Sequence, residues 1–405
     1  MNKICDVNLC TACGACENIC PKKCVVRKRE SSGFEYLQPD TKTCIDCGKC
    51  LKVCPNVVEP EYQFPLEAHA AWANDINIHR AGASGGIASV LYLYAIKQGM
   101  YCAGVEIDNK FEVHYKLTDS SEDIERFRNS KYTFSFMDNI YYDIVCLLKE
   151  KKNVLFVGLP CQVAALINYT KQFSFKGQLV TADLVCHGVP PADYLKQHIK
   201  TVSKNKKVTC CFFRDPCFST DKFVFSLYNK HDLIYKKGVH VNDCYQIGYH
   251  KAIIYRENCY NCKYAKRTRV GDLTLSDYRG FGKLAPYPYE KQQVSCVLIN
   301  SEVGKAFYDA VLDTGMIKSY QRPVLEPLSS DKQLNSASKA PKERERFIKE
   351  YNNCCDYDIA AKSAFKNIIV KNIVSCFLCT KQIKTLIKKM IPKSLKAFLK
   401  TFLKK

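Results

Sequence analysis

The run Cys10-Thr-Ala-Cys13-Gly-Ala-Cys16-Glu-Asn-Ile-Cys20-Pro21 constrains this chain more than any other stretch. It returns as Cys44-Ile-Asp-Cys47-Gly-Lys-Cys50-Leu-Lys-Val-Cys54-Pro55, 34 residues later at every cysteine. An identical offset at all four positions marks an internal duplication.

Three thiolates on one short loop grip three irons of a 4Fe–4S cube, and the fourth, carried off by the next turn, reaches the other cube. The spacing thus predicts two clusters, one on Cys10, Cys13, Cys16 and Cys54, the other on Cys44, Cys47, Cys50 and Cys20. Zinc takes four ligands per site and would not favour this three-plus-one repeat. Disulfides need an oxidising compartment, and the opening residues lack a signal-peptide pattern. Twenty-five cysteines in 405 residues therefore point to metal sites in a reducing cytoplasm. Cys5 and Cys24 fall outside the repeat and read as spare buried thiols.

Residues 1–60 read as an α+β ferredoxin-like domain, with Ser31–Leu37 as a hairpin strand between its halves. Pro55, Pro60 and Pro65 mark an extended linker. From residue 66 to about 330 the texture is α/β, with a mostly parallel or mixed sheet. Arg80-Ala-Gly82-Ala-Ser84-Gly85-Gly86 precedes an apolar helix, 87–97, with Ser84 as candidate N-cap. Such glycines let a backbone approach an anion at a helix N-terminus, and equally serve a tight turn.

Two strand-to-helix turns follow, at Gly158-Leu-Pro160-Cys161-Gln162 and at Cys186-His187-Gly188. They put Cys161 and Cys186 at carboxyl ends of strands, where open α/β sheets gather ligands. Cys259-Tyr-Asn-Cys262 adds a pair from a third loop. The four can hold a third cluster if the sheet brings them together. Otherwise they are ordinary buried thiols. His187 reads as an orienting or acid–base group rather than a ligand.

These motifs, in this order, resemble the coenzyme F420 hydrogenase/dehydrogenase beta subunits over roughly residues 66–330. The resemblance implies an FAD-binding domain with its own 4Fe–4S cluster, passing a hydride to the deazaflavin or another organic acceptor. By position, Arg80, Gly82, Ser84, Gly85 and Gly86 would hold the FAD, and Cys161, Cys186, Cys259 and Cys262 the third cluster. Relatives with a fused two-cluster domain imply a setting in surface-polysaccharide biosynthesis. Two positions depart from the family pattern. Arg279 stands where an aromatic residue is usual, and Phe134 where a polar amide is expected, in Ser130-Lys131-Tyr132-Thr133-Phe134-Ser135. Both departures bear on the substrate pocket. Lys131 would stabilise negative charge if it lies near flavin or substrate; the other reading is a solvated surface lysine.

After Asp358 there is no acidic residue and there are twelve lysines, more than half of the net charge of +21. Residues 331–405 read as a charged linker, with a solvated helix at 339–349, followed by a basic helical tail. Residues 381–405 alternate apolar and lysine faces at helical spacing, which suits the anionic inner face of a membrane or a protein partner. Nucleic acid is not expected, since the charge sits in a tail without a binding motif. The chain therefore reads as a cytoplasmic iron–sulfur flavoprotein oxidoreductase that takes electrons from a redox partner protein. A deazaflavin oxidoreductase and a non-catalytic electron-transfer module are the alternatives.

Overall fold

The computed structural model describes residues 3–239, 242–287 and 293–379. The duplication in the sequence returns as two matched half-sites. Short helices Ala15–Ile19 and Lys49–Val53 each follow a left-handed glycine, Gly14 (φ 81°) and Gly48 (φ 69°), and each ends on its repeat's fourth cysteine. A side chain there would be strained, so the repeat needs glycine at both places. Strands β1 (Val25–Arg29) and β2 (Glu35–Pro39) pair antiparallel between the halves. The turn joining them takes up Ser31 to Gly33, so the strand begins later than the sequence pattern suggests.

The larger domain is built on a nine-stranded mixed sheet. Its strands are β3 (Glu67–Ala73), β4 (Tyr101–Ile107), β5 (Val113–Thr118), β6 (Ser135–Phe136), β7 (Val154–Gly158) and β8 (Leu179–Leu184). After a separate three-stranded sheet of β9 (Cys210–Phe212), β10 (Val224–Asn229) and β11 (Asp232–Gly238) come β12 (Leu273–Asp277), β13 (Ser295–Ile299) and β14 (Ile317–Arg322). The spatial order is β14-β3-β13-β12-β8-β7-β4-β5-β6. The four central strands, β12, β8, β7 and β4, run parallel, so the ends of β7, β8 and β12 open on one edge.

Helices Ile87–Lys97 and Glu302–Asp313 cover one face of the sheet, while Ile140–Lys149 and Pro160–Thr170 cover the other. Ala15 and Val53 of the ferredoxin-like domain join the second of these cores, which seats that domain on the helices.

A third core corrects the reading of residues 331–405 as charged linker. Helices Glu343–Cys354 and Tyr357–Ala364 bury Phe347, Tyr351, Tyr357 and Phe365 against helices Ala192–Ser203 and Cys244–His250. The 339–349 stretch is not a solvated helix, because its buried face is carried by Arg344. That guanidinium donates to the carbonyls of Ile253 (3.1 Å) and Tyr255 (2.6 Å) and lies over the Tyr260 ring. Burying an arginine costs little once its N–H groups and its flat face are matched. The tail from 381 lies outside the described residues. No helix among the described residues is long and apolar enough to cross a membrane.

His198, unremarkable in the sequence, holds this third core together. Its Nε2 lies 3.0 Å from Asp243 Oδ2 and its Nδ1 3.0 Å from Asp358 Oδ1, all three residues being buried. Burial opposes protonation, but the two carboxylates outweigh it and push the imidazole up to about 9 from its ordinary 6.5. The raised folded value means the stabilisation is complete below about 6.5 and is lost as pH rises through about 9. Urea midpoints should therefore fall between pH 7 and about 9.5 more steeply for the wild type than for His198→Gln. Parallel slopes for the two proteins would refute this.

Candidate iron–sulfur and cofactor sites

Four cavities carry the chemistry. One is lined by Cys10, Cys13, Cys16 and Cys54, another by Cys20, Cys44, Cys47 and Cys50. In the first set burial pushes Cys13 up to about 12 and also raises Cys16 well above the ordinary thiol range. A donor set of four sulfurs fits an iron–sulfur cluster that would take them as thiolates.

Cys5 and Cys24 are not spare. Cys5 lines the first cavity beside Cys10 and Cys54. The neighbouring Cys5 thiol pulls Cys10 down to about 6. Cys24 lines the second cavity, with its Sγ 3.4 Å from Cys20 Sγ and its backbone N–H donating to the same sulfur. Each half-site thus pairs an extra thiol with a ligand sulfur. Only the tertiary fold reveals this, since neither residue fits the repeat.

The third cavity, about 320 Å³, is lined by Cys161, Cys186, Cys259 and Cys262. Cys161 sits in the first turn of helix Pro160–Thr170, where Pro160 opens the helix and Gln162 Oε1 accepts the Leu159 N–H (3.0 Å). Cys186 follows the end of β8, and Cys259 lies in the short helix Glu257–Tyr260. Burial raises all four thiols, Cys259 to about 11. An all-sulfur donor set again fits a cluster. Phe134 lines this cavity, not the neighbouring one, beneath the Arg27 and Arg256 guanidiniums. The departure at Phe134 therefore falls on the cysteine site, while its neighbours Thr133 and Ser135 line the other pocket.

The cysteine-bearing loop is fixed by a buried ion pair. Arg269 Nη2 lies 2.6 Å from Asp183 Oδ1, and both side chains are almost fully enclosed. Asp183 also accepts from Val270 N, Gly271 N and Thr274 Oγ1, which saturates the carboxylate. Asp183→Ala would leave the guanidinium buried and unpaired at a cost of roughly 3–5 kcal/mol. Chemical denaturation should register that loss, and a loss under about 1 kcal/mol would show that the pair does not organise the loop.

The fourth cavity, about 280 Å³, lies beside the third. Gly82, Ser84 and Gly86 line it, as do Lys131, His187, Arg214 and Arg279. Arg80 does not: it is exposed in the last turn of helix Ile76–Ala81. Gly85 is absent from the lining too, since a Cβ there would meet Ala71 O at 2.4 Å. Ser84 is not the N-cap of helix Ile87–Lys97. That position belongs to Gly86, and Ser84 Oγ instead meets Ser295 Oγ at 2.8 Å.

Lys131 is half-buried, its amine donating to the carbonyls of Phe127 (3.3 Å) and Arg128 (2.9 Å), and burial pulls it down to about 8. Among the described residues Arg128 Nε is buried in this wall without a partner, while Nη1 of the same guanidinium pairs with Glu125 at 3.4 Å. An unmatched guanidinium nitrogen and an amine without a carboxylate fit an anionic cofactor.

Two models of one family, the coenzyme F420 hydrogenase/dehydrogenase beta subunits, match the chain. The model of the family's N-terminal part matches residues 68–140, and the model of its C-terminal part matches residues 151–322. Together they cover more than half of the residues. The chain belongs to this family. A 4Fe-4S dicluster domain matches residues 9–58, which supports iron–sulfur clusters and a redox role in this family member. Among solved structures, a chain of the F420-reducing NiFe hydrogenase complex from Methanosarcina barkeri aligns at 16% identity and TM-score 0.42, over 74% of this chain and 91% of that one. No curated protein matches.

The family pattern says nothing of Cys5 and Cys24, and the geometry yields a test. Hydrogen bonds to ligand sulfur raise a cluster's potential. Cys5→Ala and Cys24→Ala should keep the iron content and lower the midpoint of one cluster each in EPR-monitored titrations, with serine restoring part of it. Unchanged midpoints would make both thiols packing residues only.

Proposed function

We propose that this chain is an iron–sulfur flavoprotein oxidoreductase. Electrons enter at the ferredoxin-like domain, pass inward through the four-cysteine cavity and reach an FAD in the adjoining one, which serves an organic substrate. A redox partner protein supplies the electrons. The substrate class implied by the resemblance is a surface-polysaccharide precursor.

One observation carries the reading. Leu159, Gln162, Cys186 and His187 line both the four-cysteine cavity and the Gly82–Gly86 cavity, so a single layer of residues separates them. From the other side Ala12 and Cys13 of the inner ferredoxin loop line the four-cysteine cavity. Three sites in series, each sharing a wall with the next, is the layout an electron relay needs.

Flavin, when bound, exchanges single electrons for hydride pairs. The chain's own residues position and shield it. Gly82, Ser84 and Gly86 let the backbone face the ligand. Arg128, Lys131 and Arg214 supply positive charge, with Arg214 steadied by Asp277 at 3.0 Å. Tyr115 donates to Gln162 Oε1 (2.8 Å) and Gln162 Nε2 donates to Ser135 Oγ (2.8 Å), which closes the wall against water. His187 lines both cavities, and desolvation pulls its imidazole down, so in this reading it is a neutral orienting or acid–base group beside the substrate.

Protein purified without oxygen should contain about twelve irons, from three clusters of four, and about one FAD. Cys161→Ser should lose about four irons and keep the EPR signals of the other two clusters. About eight irons without flavin in the wild type would overturn the enzyme reading in favour of an electron-transfer module. Reduction of added coenzyme F420 by the same sample would identify the acceptor as the one in the family's name.

A further inference from the structure

The two ferredoxin-type cysteine sets differ sharply in exposure. Cys10, Cys13, Cys16 and Cys54 are all buried, and their loop faces the larger domain: Tyr141 donates to Cys13 O at 2.9 Å and Arg256 to Cys10 O at 3.2 Å. In the other set Cys47 is exposed, Cys20 and Cys44 are half-buried, and only Cys50 is buried. This second set is the outer one.

Its rim is built from Pro21, Lys22, Ile45 and Lys49, with Ile45 56% exposed. Lys23 and Lys42 adjoin the rim in the chain, and all four lysines are exposed. None of the four pairs with a carboxylate among the described residues. Two acidic side chains of the same loops make local hydrogen bonds: Asp40 accepts from Lys42 N (3.1 Å) and Thr43 Oγ1 (3.1 Å), and Asp46 accepts from the Cys44 thiol.

A small apolar centre over a redox site, ringed by unpaired cations, is suited to brief encounters with a negatively charged protein. Charge complementarity speeds approach and orients it, while the small contact lets the partner leave. Single-stranded nucleic acid would want aromatic platforms, and no aromatic residue stands on this rim.

We propose that this lysine-ringed face is the docking site of an acidic one-electron carrier protein that loads the outer site. Resting on the iron–sulfur reading above, it names the partner's chemistry and place. Per encounter one electron leaves the carrier, which is oxidised, and enters the Cys20/Cys44/Cys47/Cys50 centre, which is reduced. No bond is made or broken.

The test uses full-length protein purified without oxygen and a labelled acidic flavodoxin as probe, with binding read by fluorescence anisotropy. The charge-reversed pair Lys22→Glu/Lys49→Glu is compared with the wild type, with Lys22→Arg/Lys49→Arg, and with a control reversal at exposed Lys97 and Lys318 of the larger domain. The basic tail is common to all, so its contribution cancels. The rim reversal should weaken binding at least about 10-fold at low ionic strength, and salt should erase the difference. Bleaching by reduced flavodoxin should slow in step, while bleaching by dithionite stays unchanged. The arginine pair and the control should behave as wild type.

Equal binding by the rim and control reversals, or tighter binding of a basic cytochrome c, overturns the proposal. Iron analysis of the same samples separates the two failures. A full iron complement with charge-indifferent binding overturns the docking face alone. Protein without iron overturns the cluster reading and the electron loading with it.

Discussion

The arrangement of Cys186, Cys259 and Cys262 depends on the ion pair between Asp183 and Arg269. Asp183 is the penultimate residue of the parallel strand β8, and Arg269 lies in a loop with almost no regular structure of its own. A carboxylate in that position is strongly destabilising unless every lone pair is met, and Arg269 together with two backbone amides and Thr274 meets them. Once Arg269 is pinned, the ten residues before it, from Cys259 onward, are held as well. Cys262 and Cys259 are thereby brought to the strand end that carries Cys186. The same arginine's backbone pairs with Gln63, so the linker leaving the ferredoxin-like domain is tied to this point too.

The ferredoxin-like domain is seated mainly by donors that reach its main-chain carbonyls. Arg256 reaches Cys10 O and Glu35 O, Tyr141 reaches Cys13 O, Asn168 reaches Val58 O and Lys263 reaches Pro55 O. Most of these carbonyls belong to the loops that carry the cysteines or adjoin them. A contact that holds the domain in place therefore also fixes the shape of the inner site. Orientation of the small domain and geometry of its inner half-site are one property.

Much of this is legible in the sequence. The duplicated cysteine run, the strand-to-helix turns at Pro160 and Cys186, and the α/β texture all follow from local spacing and buried apolar runs, which neighbouring residues dictate. What escapes depends on partners far away in the chain. His198 meets carboxylates 45 and 160 residues distant, and no local pattern marks such a site. Cys5 and Cys24 gain meaning only when folding brings them against ligand sulfurs. The 339–349 stretch misleads because charge suggests solvent, whereas Arg344 is enclosed by carbonyls and rings. Position in a motif assigns Arg80 and Gly85 to a ligand. Arg80 instead stands exposed at a helix end and Gly85 packs against Ala71, while Gly82, Ser84 and Gly86 line the cavity.

The third core has a bearing on where this protein ends as a physical object. Similarity to the family stops at residue 322, yet Phe347, Tyr357 and Phe365 complete a core shared with helices 192–203 and 244–250. Asp358 supplies one of the two negative charges on His198. A piece cut at the limit of resemblance would keep the positive ring and lose half of its compensation, and would bare a wall of aromatic side chains. The cooperative unit is thus longer than the unit that sequence comparison outlines, and evolutionary borders and mechanical ones do not coincide here.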